Sequence, residues 1–317
     1  MIRSALRWLL SSIALLFVVT ALTFVLVSLA PGDAARAILS GQSSTYTPEQ
    51  YQAMRHALGI DQPLVVQYGH WLDNLVHGSL GTDLFSGQSV AEALRDRIGP
   101  SLSIILGTVV LSGLLGTWLG IVSARRGGLP GRIVDVVSLV GFAVPNFWLA
   151  LLLVEFLAIR LAWFPTGGYV PLTQDPAGWL RTIALPVVTL SAAGIAFVAK
   201  QTRDAMSEAL SAEYVTMLRA RGLTERAIVY KHALRNASIP VVTLLGLLLI
   251  SLLSGAVVIE SFFSVPGLGA QAVEASGSHN LPVITGIAFC FTVVVVLANL
   301  LVDLSYRWLN PRVRAAR

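Results

Sequence analysis

The sequence predicts an all-α integral membrane protein with six transmembrane helices and both termini in the cytoplasm. Three observations predict this class: the composition, six charge-free stretches of membrane length, and the distribution of basic residues. Apolar residues make up 55% of the 317 residues, charged residues make up 12%, and the mean hydropathy is +0.74. Soluble domains average roughly 25% charged residues. The chain therefore has too few charges to cover the surface of a soluble domain.

Six stretches without charged residues approach the ~20 residues that a spanning helix needs. They are residues 9–30, 101–124, 136–154, 182–199, 237–259 and 280–302. The first is too long for the apolar region of a cleaved signal peptide, and Pro31 follows its last small residue, so we expect a retained helix. Prolines inside the stretches, such as Pro145 and Pro186, are tolerated where neighbouring helices satisfy the freed backbone groups.

The basic residues predict the orientation. If both termini are inside, sixteen of the 22 lysines and arginines lie on the inner side of the membrane. Such an excess marks the cytoplasmic side. It places residues 213–240 in the cytoplasm and residues 31–100, 161–181 and 263–279 outside. The positive charge is thus explained by the excess of lysine and arginine on the cytoplasmic side of the membrane. No nucleic-acid partner is expected despite a pI near 9.7.

The external segments contain local order of their own. Pro48 can open a short helix, residues 58–63 read as a turn, and residues 90–98 are amphipathic. His56, His70 and His77 share one external region, but their spacing fits no compact metal site. The single cysteine, Cys290, excludes an intrachain disulfide.

Residues 213–240 are a polar, basic insert between two apolar stretches, and they contain a predicted helix pair. One helical face is expected across residues 204–221. Its apolar members are Met206, Leu210, Tyr214, Met217 and Leu218. Gly222 is expected to end this helix with a positive φ. Thr224 is expected to cap a second helix that runs from Glu225 to about Asn236.

Physical reasoning alone leaves two roles open for this pair. It can seat in the groove of a partner protein, with Arg219, Arg221 and Arg226 contacting acidic groups. It can equally lie as an amphipathic hairpin on anionic membrane lipid, which the same arginines favour.

The motifs in this insert resemble the cytoplasmic EAA loop of ABC-importer permeases, the segment that docks on an ATP-hydrolysing subunit. They are Glu213, then Ala220-Arg221-Gly222, then residues 232–237, then Pro240. Nearly the whole chain is similar to the B-type permeases of oligopeptide, dipeptide and nickel importers. The motifs that carry this wider resemblance are Ala30-Pro31-Gly32-Asp33, Leu58-Gly59-Ile60-Asp61-Gln62-Pro63, Gly78-Ser79-Leu80-Gly81, Val144-Pro145-Asn146-Phe147-Trp148-Leu149, Trp163-Phe164-Pro165-Thr166-Gly167-Gly168-Tyr169, Pro266-Gly267-Leu268-Gly269, Val302-Asp303-Leu304 and Asn310-Pro311-Arg312.

Three positions depart from the family pattern or mark its branch. The family more often has Asp where Ser79 and Asn310 stand. Tyr214 occupies the first alanine position of the glutamate-alanine-alanine signature, as is usual for this branch. These departures leave the solute undetermined.

The resemblance implies the fold of a type I ABC importer transmembrane domain. It divides the chain into residues 1–96, with the first transmembrane helix and a long external loop, and residues 97–306, the ABC type-1 domain of five helices. A coupling loop at 203–238 lies within the second part, and residues 307–317 form a basic cytoplasmic tail. The implied location is the bacterial cytoplasmic (inner) membrane, with multiple passes.

The resemblance also implies a function and an assembly. The chain is expected to form half of the translocation path for short peptides that an external solute-binding protein delivers. The other expected partners are a second, related permease, two ATP-binding subunits and membrane lipid. The chain is expected to be non-catalytic and to hold no cofactor, since neither lysine follows the glycines of a phosphate-binding loop. ATP and Mg would be bound by the ATPase subunits.

The expected ATPase-coupling residues lie in and beside the loop. They are Glu213, Tyr214, Arg219, Ala220, Arg221, Gly222, Leu223 and Pro240. Gly222 is expected to set the angle between the two helices, and Arg219 and Arg221 are expected to contact the ATPase. Pro240 is expected to fix where the fifth span begins.

Other functions remain as alternatives. One alternative is that the same machinery imports nickel or another small solute in place of peptides. A secondary transporter or channel subunit is the competing class, although the sequence shows neither an inverted repeat nor intramembrane ion ligands. An intramembrane enzyme would need a base near Ser103, Ser112, Ser251 or Cys290, and no histidine lies within a predicted span.

Three charged positions at the ends of predicted spans are expected to form local ion pairs. Glu155 either stays protonated at the interface or meets Arg160, although a charge near membrane depth also suggests function. Asp303 is expected to pair with Arg307, one helical turn away. Asp135 is expected to pair with Arg132.

Overall fold

Long apolar helices dominate the fold, as the charge-free stretches predict. The computed structural model describes residues 2–42, 45–126 and 128–309, and these residues contain helices and no β-strand. The helices are α1 (Ile2–Leu29), α2 (Ala34–Gln42), α3 (Pro48–Ala57), α4 (Leu64–Val76), α5 (Val90–Arg126), α6 (Gly128–Ala143), α7 (Asn146–Leu153), α8 (Pro176–Ser211), α9 (Glu213–Ala220), α10 (Glu225–Ala227), α11 (Leu234–Phe262), α12 (Leu268–Gly277) and α13 (Leu281–Leu309). The predicted all-α class is confirmed.

Five helical segments in the described part of the chain are long and apolar enough to cross a membrane. They are Leu6–Leu29, Val90–Arg125, Pro176–Ser211, Glu225–Phe262 and Leu281–Tyr306. Five of the six predicted stretches overlap these segments. The count of six spans and the cytoplasmic position of both termini stay predictions.

The third predicted stretch, residues 136–154, does not form one helix. Helix α6 ends at Ala143, Pro145 has an extended backbone with φ −63° and ψ 135°, and α7 starts at Asn146. A π-helical segment, Val154–Arg160, then continues α7. Proline lacks a backbone N–H, and its ring disfavours helical geometry in the residue before it. The expectation that Pro145 would be tolerated inside a helix is therefore wrong, whereas Pro186 does lie within α8.

The described chain folds into two compact units. The first comprises Met1–Pro100 and Pro266–Val296. In this unit α4 packs along α1, where the Tyr68 hydroxyl lies 2.9 Å from Thr20 Oγ1 and donates to the Phe17 carbonyl at 3.2 Å. Part of the predicted external region thus packs against a spanning helix. The predicted helix start at Pro48 is confirmed, with Thr47 accepting from Gln50 N in a capping box.

The second unit comprises Ser101–Val265 and Leu297–Arg317, and small residues bring its helices together. A Cβ atom added at Gly116 would lie 2.6 Å from Val198 Cβ, and one added at Gly120 would lie 2.5 Å from Thr202 Cβ. Glycines four residues apart allow such close backbone approach in membrane helix pairs. Helices α5 and α8 therefore pack at a distance that no larger residue permits.

An ion cluster joins the middle of α6 to the C-terminal part of α8. Asp135 lies 2.5 Å from Arg203 Nη1 and 3.7 Å from Lys200 Nζ, and Arg203 also donates to the Gly131 carbonyl at 3.1 Å. The Arg203 guanidinium holds the pKa of the Asp135 carboxyl below its ordinary value. The expected pairing of Asp135 with Arg132 is wrong, because α8 runs beside α6 and supplies two cations.

Candidate coupling surface

The predicted loop is a helix pair, but it starts with a break that the sequence pattern does not indicate. Helix α8 ends at Ser211, Ala212 is extended with φ −69° and ψ 146°, and α9 begins at Glu213. One extended residue shifts the helical phase, so side chains before and after it no longer share a face. Met206 and Val215 are fully buried, whereas Met217 is 62% exposed. The single face predicted across residues 204–221 is therefore wrong.

The bend at Gly222 has the conformation that the sequence predicts. Its φ is +79°, the left-handed region that favours glycine. Gly222 N donates to the Arg219 carbonyl at 2.9 Å, and Leu223 N donates to the Leu218 carbonyl at 3.2 Å. These two bonds form a Schellman motif, which satisfies the last carbonyls of α9. Thr224 then accepts from Ala227 N at 3.3 Å and caps the next helix, as expected.

An ion pair closes the bend from the side. Arg219 Nε donates to Glu225 Oε1 at 2.7 Å, so the last turn of α9 is tied to the first residue of α10. The sequence predicts that Arg219 contacts the ATPase, and that contact stays a prediction. In the structure Arg219 has an acidic partner within its own loop, Glu225, which is not among the expected site residues.

The other end of α9 is anchored to α11. Asn236 Nδ2 donates to the Tyr214 hydroxyl at 3.0 Å, and the side chain of Val215, in the first turn of α9, is completely buried. Tyr214 thus has a structural contact at the position where the family signature places alanine. Glu213 lies exposed in the first turn of α9, where its negative charge complements the helix dipole.

The remaining expected residues form an exposed surface around the bend. Ala220, Arg221 and Gly222 are exposed, and Leu223 is partly buried. Beside them a shallow cleft of about 580 Å³ is lined by Thr224, Arg226, Ala227, Tyr230 and Lys231. We call the exposed residues Glu213, Met217, Ala220, Arg221 and Arg226 the coupling surface. Its excess of arginine suits an acidic partner surface.

Pro240 does not begin a helix. The chain is helical from Glu225 to Phe262, through α10, a π-helical segment at Ile228–Ala233 and α11, and Pro240 lies inside α11. The helix therefore starts well before Pro240, and the role of Pro240 in fixing where the fifth span enters the membrane stays a prediction. Both ends of the loop therefore lead into long helices. At one end only Ala212 separates α9 from α8, and at the other end the chain continues into α11.

The expected local ion pairs have different outcomes. Arg160 Nε donates to Glu155 Oε1 at 2.8 Å, which confirms the pairing of these two residues. The Asp303 partner, Arg307, has a side chain outside the described residues, and so do Asn310 and the rest of the basic tail. In the first unit, His56 and His77 each lie beside a carboxylate, of Asp61 and Asp73 respectively.

One buried acid was not singled out from the sequence. Glu260 is 1% exposed, and Ser101 Oγ donates to its Oε1 at 2.6 Å. The signal in the sequence is that the charge-free stretch ends at residue 259, directly before Glu260. In the structure α11 continues past Glu260 and buries it.

Comparisons with known proteins agree with this architecture. Residues 116–315 match the family model described as binding-protein-dependent transport system inner membrane component, and residues 1–102 match the model of its N-terminal region. A probable peptide ABC transporter permease protein of Sinorhizobium fredii is 38% identical over 98% of both chains. The oligopeptide transport system permease protein AppB of Bacillus subtilis is 34% identical over 96% of both chains.

A solved structure supports the fold at lower identity. An inward-facing form of the MetNI methionine ABC transporter superimposes with a TM-score of 0.53 at 17% identity, covering 69% of this chain and 97% of that chain. The fold is that of a type I ABC importer transmembrane domain, and the chain is a multi-pass protein of the bacterial inner membrane. On the family match over most of its length, the chain belongs to the inner membrane components of binding-protein-dependent transport systems.

Proposed function

We propose that this chain is a permease subunit of an ATP-driven importer of short peptides and forms half of the translocation path. Relatives that match nearly the full length carry peptide permease names, and the fold is that of an importer transmembrane domain. The observation that carries the proposal is the rigid bend at Gly222, since it gives this membrane chain a compact projection that lipid packing does not require. The chain itself would catalyse no reaction.

Besides this chain, the proposed assembly contains four kinds of component. A second, related permease completes the path, two ATP-binding subunits bind ATP and Mg, an external solute-binding protein delivers the peptide, and lipid surrounds the helices. The loop 203–238 is the proposed contact with one ATP-binding subunit. In this assembly the energy of ATP reaches the chain only through that loop.

The loop geometry suggests how force would be transmitted. Three contacts make the projection stiff: the Schellman bonds at Gly222, the Arg219–Glu225 ion pair and the Asn236–Tyr214 hydrogen bond. The projection joins α8 directly at one end and α11 at the other. A displacement of the coupling surface would therefore move two long helices together.

The variant Gly222→Val tests this proposal. A β-branched residue at φ +79° is strained by on the order of 1–3 kcal/mol, which would distort the bend. We expect normal membrane insertion, with loss of ATP-dependent uptake or of copurification with the ATPase subunits. Gly59→Val is a matched control, because Gly59 has φ +67° and, like Gly222, no neighbouring atom within 4 Å of its added Cβ.

The outcomes are separated by measuring insertion, copurification and uptake for both variants. Full ATP-dependent uptake by Gly222→Val would show that this loop does not couple ATP hydrolysis to transport. Uptake is followed with radiolabelled di- and tripeptides and with radioactive nickel. Accumulation of nickel without peptides would identify nickel as the solute in place of peptides. Uptake driven by an ion gradient without ATP would identify a secondary transporter in place of an ATP-driven importer.

A further inference from the structure

Arg203 holds α6 against α8 at a point where α6 leaves room for a large side chain. Its Nη1 lies 2.5 Å from Asp135 Oδ1 and donates to the Gly131 carbonyl at 3.1 Å. A Cβ atom added at Gly131 would lie 2.7 Å from Arg203 Nη2, so the guanidinium fills space that a side chain would otherwise occupy. One arginine of α8 therefore contacts two positions of α6 that lie one helical turn apart. We call these three residues the α6–α8 clamp.

The clamp is partly shielded from water. The Arg203 side chain is 24% exposed, and Asp135 Oδ1 is inaccessible to solvent although the Asp135 side chain as a whole is 43% exposed. Lys200 Nζ lies 3.7 Å from the same oxygen. Two cations of α8 thus face one anion of α6, and water does not reach the oxygen that both approach. Opposite charges attract each other more strongly where water does not separate them.

A second contact between α6 and α8 lies closer to the break at Pro145. A Cβ atom added at Gly141 would lie 3.0 Å from Ala196 Cβ, so the two helices also approach closely there. Beyond Gly141 an open cavity of about 410 Å³ lies beside the break, and its lining includes Asn146 and Ile195. The clamp is therefore a charged attachment of α6 to α8 in the half of α6 that is farther from the break.

The clamp stands between the coupling loop and the break. Helix α8 is continuous over Pro176–Ser211, and Arg203 lies nine residues before Ala212, which is about 13 Å along the helix. Asp135 lies eight residues before Ala143, the last residue of α6. Rigid helices and ion-pair networks are the elements that carry displacement between distant sites. Movement of the coupling loop therefore reaches Arg203 through α8 and passes to α6 at the clamp.

We propose that Arg203 is a positioning residue for transport, which through Asp135 and Gly131 makes α6 follow α8 when the coupling loop moves. The loop joins α8 and α11 directly, and the clamp adds a third helix to this movement. Pro145 lacks the N–H that would continue the helical hydrogen bonds, so the break gives α6 a joint at its far end. This inference rests on the proposed function and names the link between the loop and the broken helix.

The first test removes the carboxylate of the clamp and measures coupling. In proteoliposomes that contain the assembled complex, trialanine uptake and ATP hydrolysis are measured together, and their ratio gives the peptides moved per ATP. Single residues in a coupled network change the coupling by about 2- to 30-fold. We expect Asp135→Ala to lower the ratio by such a factor while ATP hydrolysis continues, because α8 then moves without α6.

Glu155→Ala is the matched control. Glu155 is 44% exposed, lies 2.8 Å from Arg160 and is ten residues from Pro145, as Asp135 is on the other side. The Glu155–Arg160 pair lies within one helical segment and joins no two helices. We expect this variant to keep the ratio of the unaltered complex. An ion pair that only stabilises the fold would change the melting temperature and leave the ratio of the assembled complex unchanged.

The second test exchanges the charges of the clamp. Asp135→Arg alone places a third cation beside Arg203 and Lys200 and should lower the ratio further than Asp135→Ala. The double variant Asp135→Arg with Arg203→Asp restores an ion pair between α6 and α8, and we expect it to recover most of the ratio. The exchange also decides the case in which the single variants fail to assemble, because it keeps one charge of each sign at the contact.

The outcomes separate this inference from the proposed function. An unchanged ratio in assembled Asp135→Ala would overturn the clamp, and so would an exchange variant whose ratio stays as low as that of Asp135→Arg. Loss of assembly in the exchange variant would assign the pair to folding and would also overturn it. Loss of uptake in Gly222→Val would meanwhile leave the proposed function intact. Absence of any ATP-dependent uptake by the unaltered complex would overturn both.

Discussion

At Gly222 the backbone adopts φ +79°, and the two Schellman bonds beside it leave the bend one low-energy conformation. The Arg219–Glu225 pair adds a side-chain tie across the same bend. Its two side chains are 48% and 59% exposed. Exposed pairs contribute little to stability, because solvent screens their charges. The glycine therefore determines the bend, and the ion pair limits its motion.

The internal role of Arg219 can be separated from contact with another subunit by exchanging charges. We expect Arg219→Glu to lower uptake, because it places two carboxylates side by side. The double variant Arg219→Glu with Glu225→Arg should regain uptake, since the pair re-forms in reverse. Uptake that stays low in the double variant, with weaker binding of the ATPase, would assign Arg219 to the intersubunit contact. Arg221→Glu provides the comparison, because Arg221 forms no ion pair with the residues that the structure describes.

Among the elements, α5 and α8 approach each other closely at glycines of α5. A methyl group at Gly120 would also lie 2.7 Å from the Ala199 carbonyl oxygen, which belongs to backbone and cannot rotate away. The same α8 carries the ion cluster with α6 and leads through Ala212 into α9. It is the helix through which the coupling loop and the α6–α7 break are connected.

Gly120→Ala tests this packing. Overpacking a close interface costs about 1–3 kcal/mol, so the detergent-solubilised variant should unfold at a lower temperature than the unaltered protein. Gly255→Ala in α11 is the matched control, because its added Cβ meets no atom within 4 Å. Alanine also has the higher helix propensity. We expect Gly255→Ala to be neutral or stabilising. Equal melting temperatures for the two variants would contradict the close approach of α5 and α8.

At the scale of the whole molecule, the chain has the spans of a permease but lacks the Gly-x-x-x-x-Gly-Lys motif of a phosphate-binding loop. The proposed assembly supplies ATP hydrolysis from separate subunits. Purified alone, the chain should hydrolyse no ATP above the background of a mock purification. Addition of the cognate ATPase subunits should restore activity that Gly222→Val reduces. ATP hydrolysis by the isolated chain above the background of the mock purification would contradict the proposed assembly.

The sequence by itself determined the class, the family resemblance and the bend. These features follow from local physical chemistry that short stretches of sequence reveal. Long apolar stretches are buried in lipid, Gly222 tolerates a positive φ, and Thr224 caps a helix end. Tertiary structure alone decided the break at Ala212, the burial of Glu260 and the pairing of Asp135 with Arg203. The burial of Glu260 and the pairing of Asp135 depend on residues distant in sequence, Ser101 and Arg203 respectively. The break at Pro145 lies between these cases, since a proline permits either a continuous or a broken membrane helix and packing beside a cavity selects one.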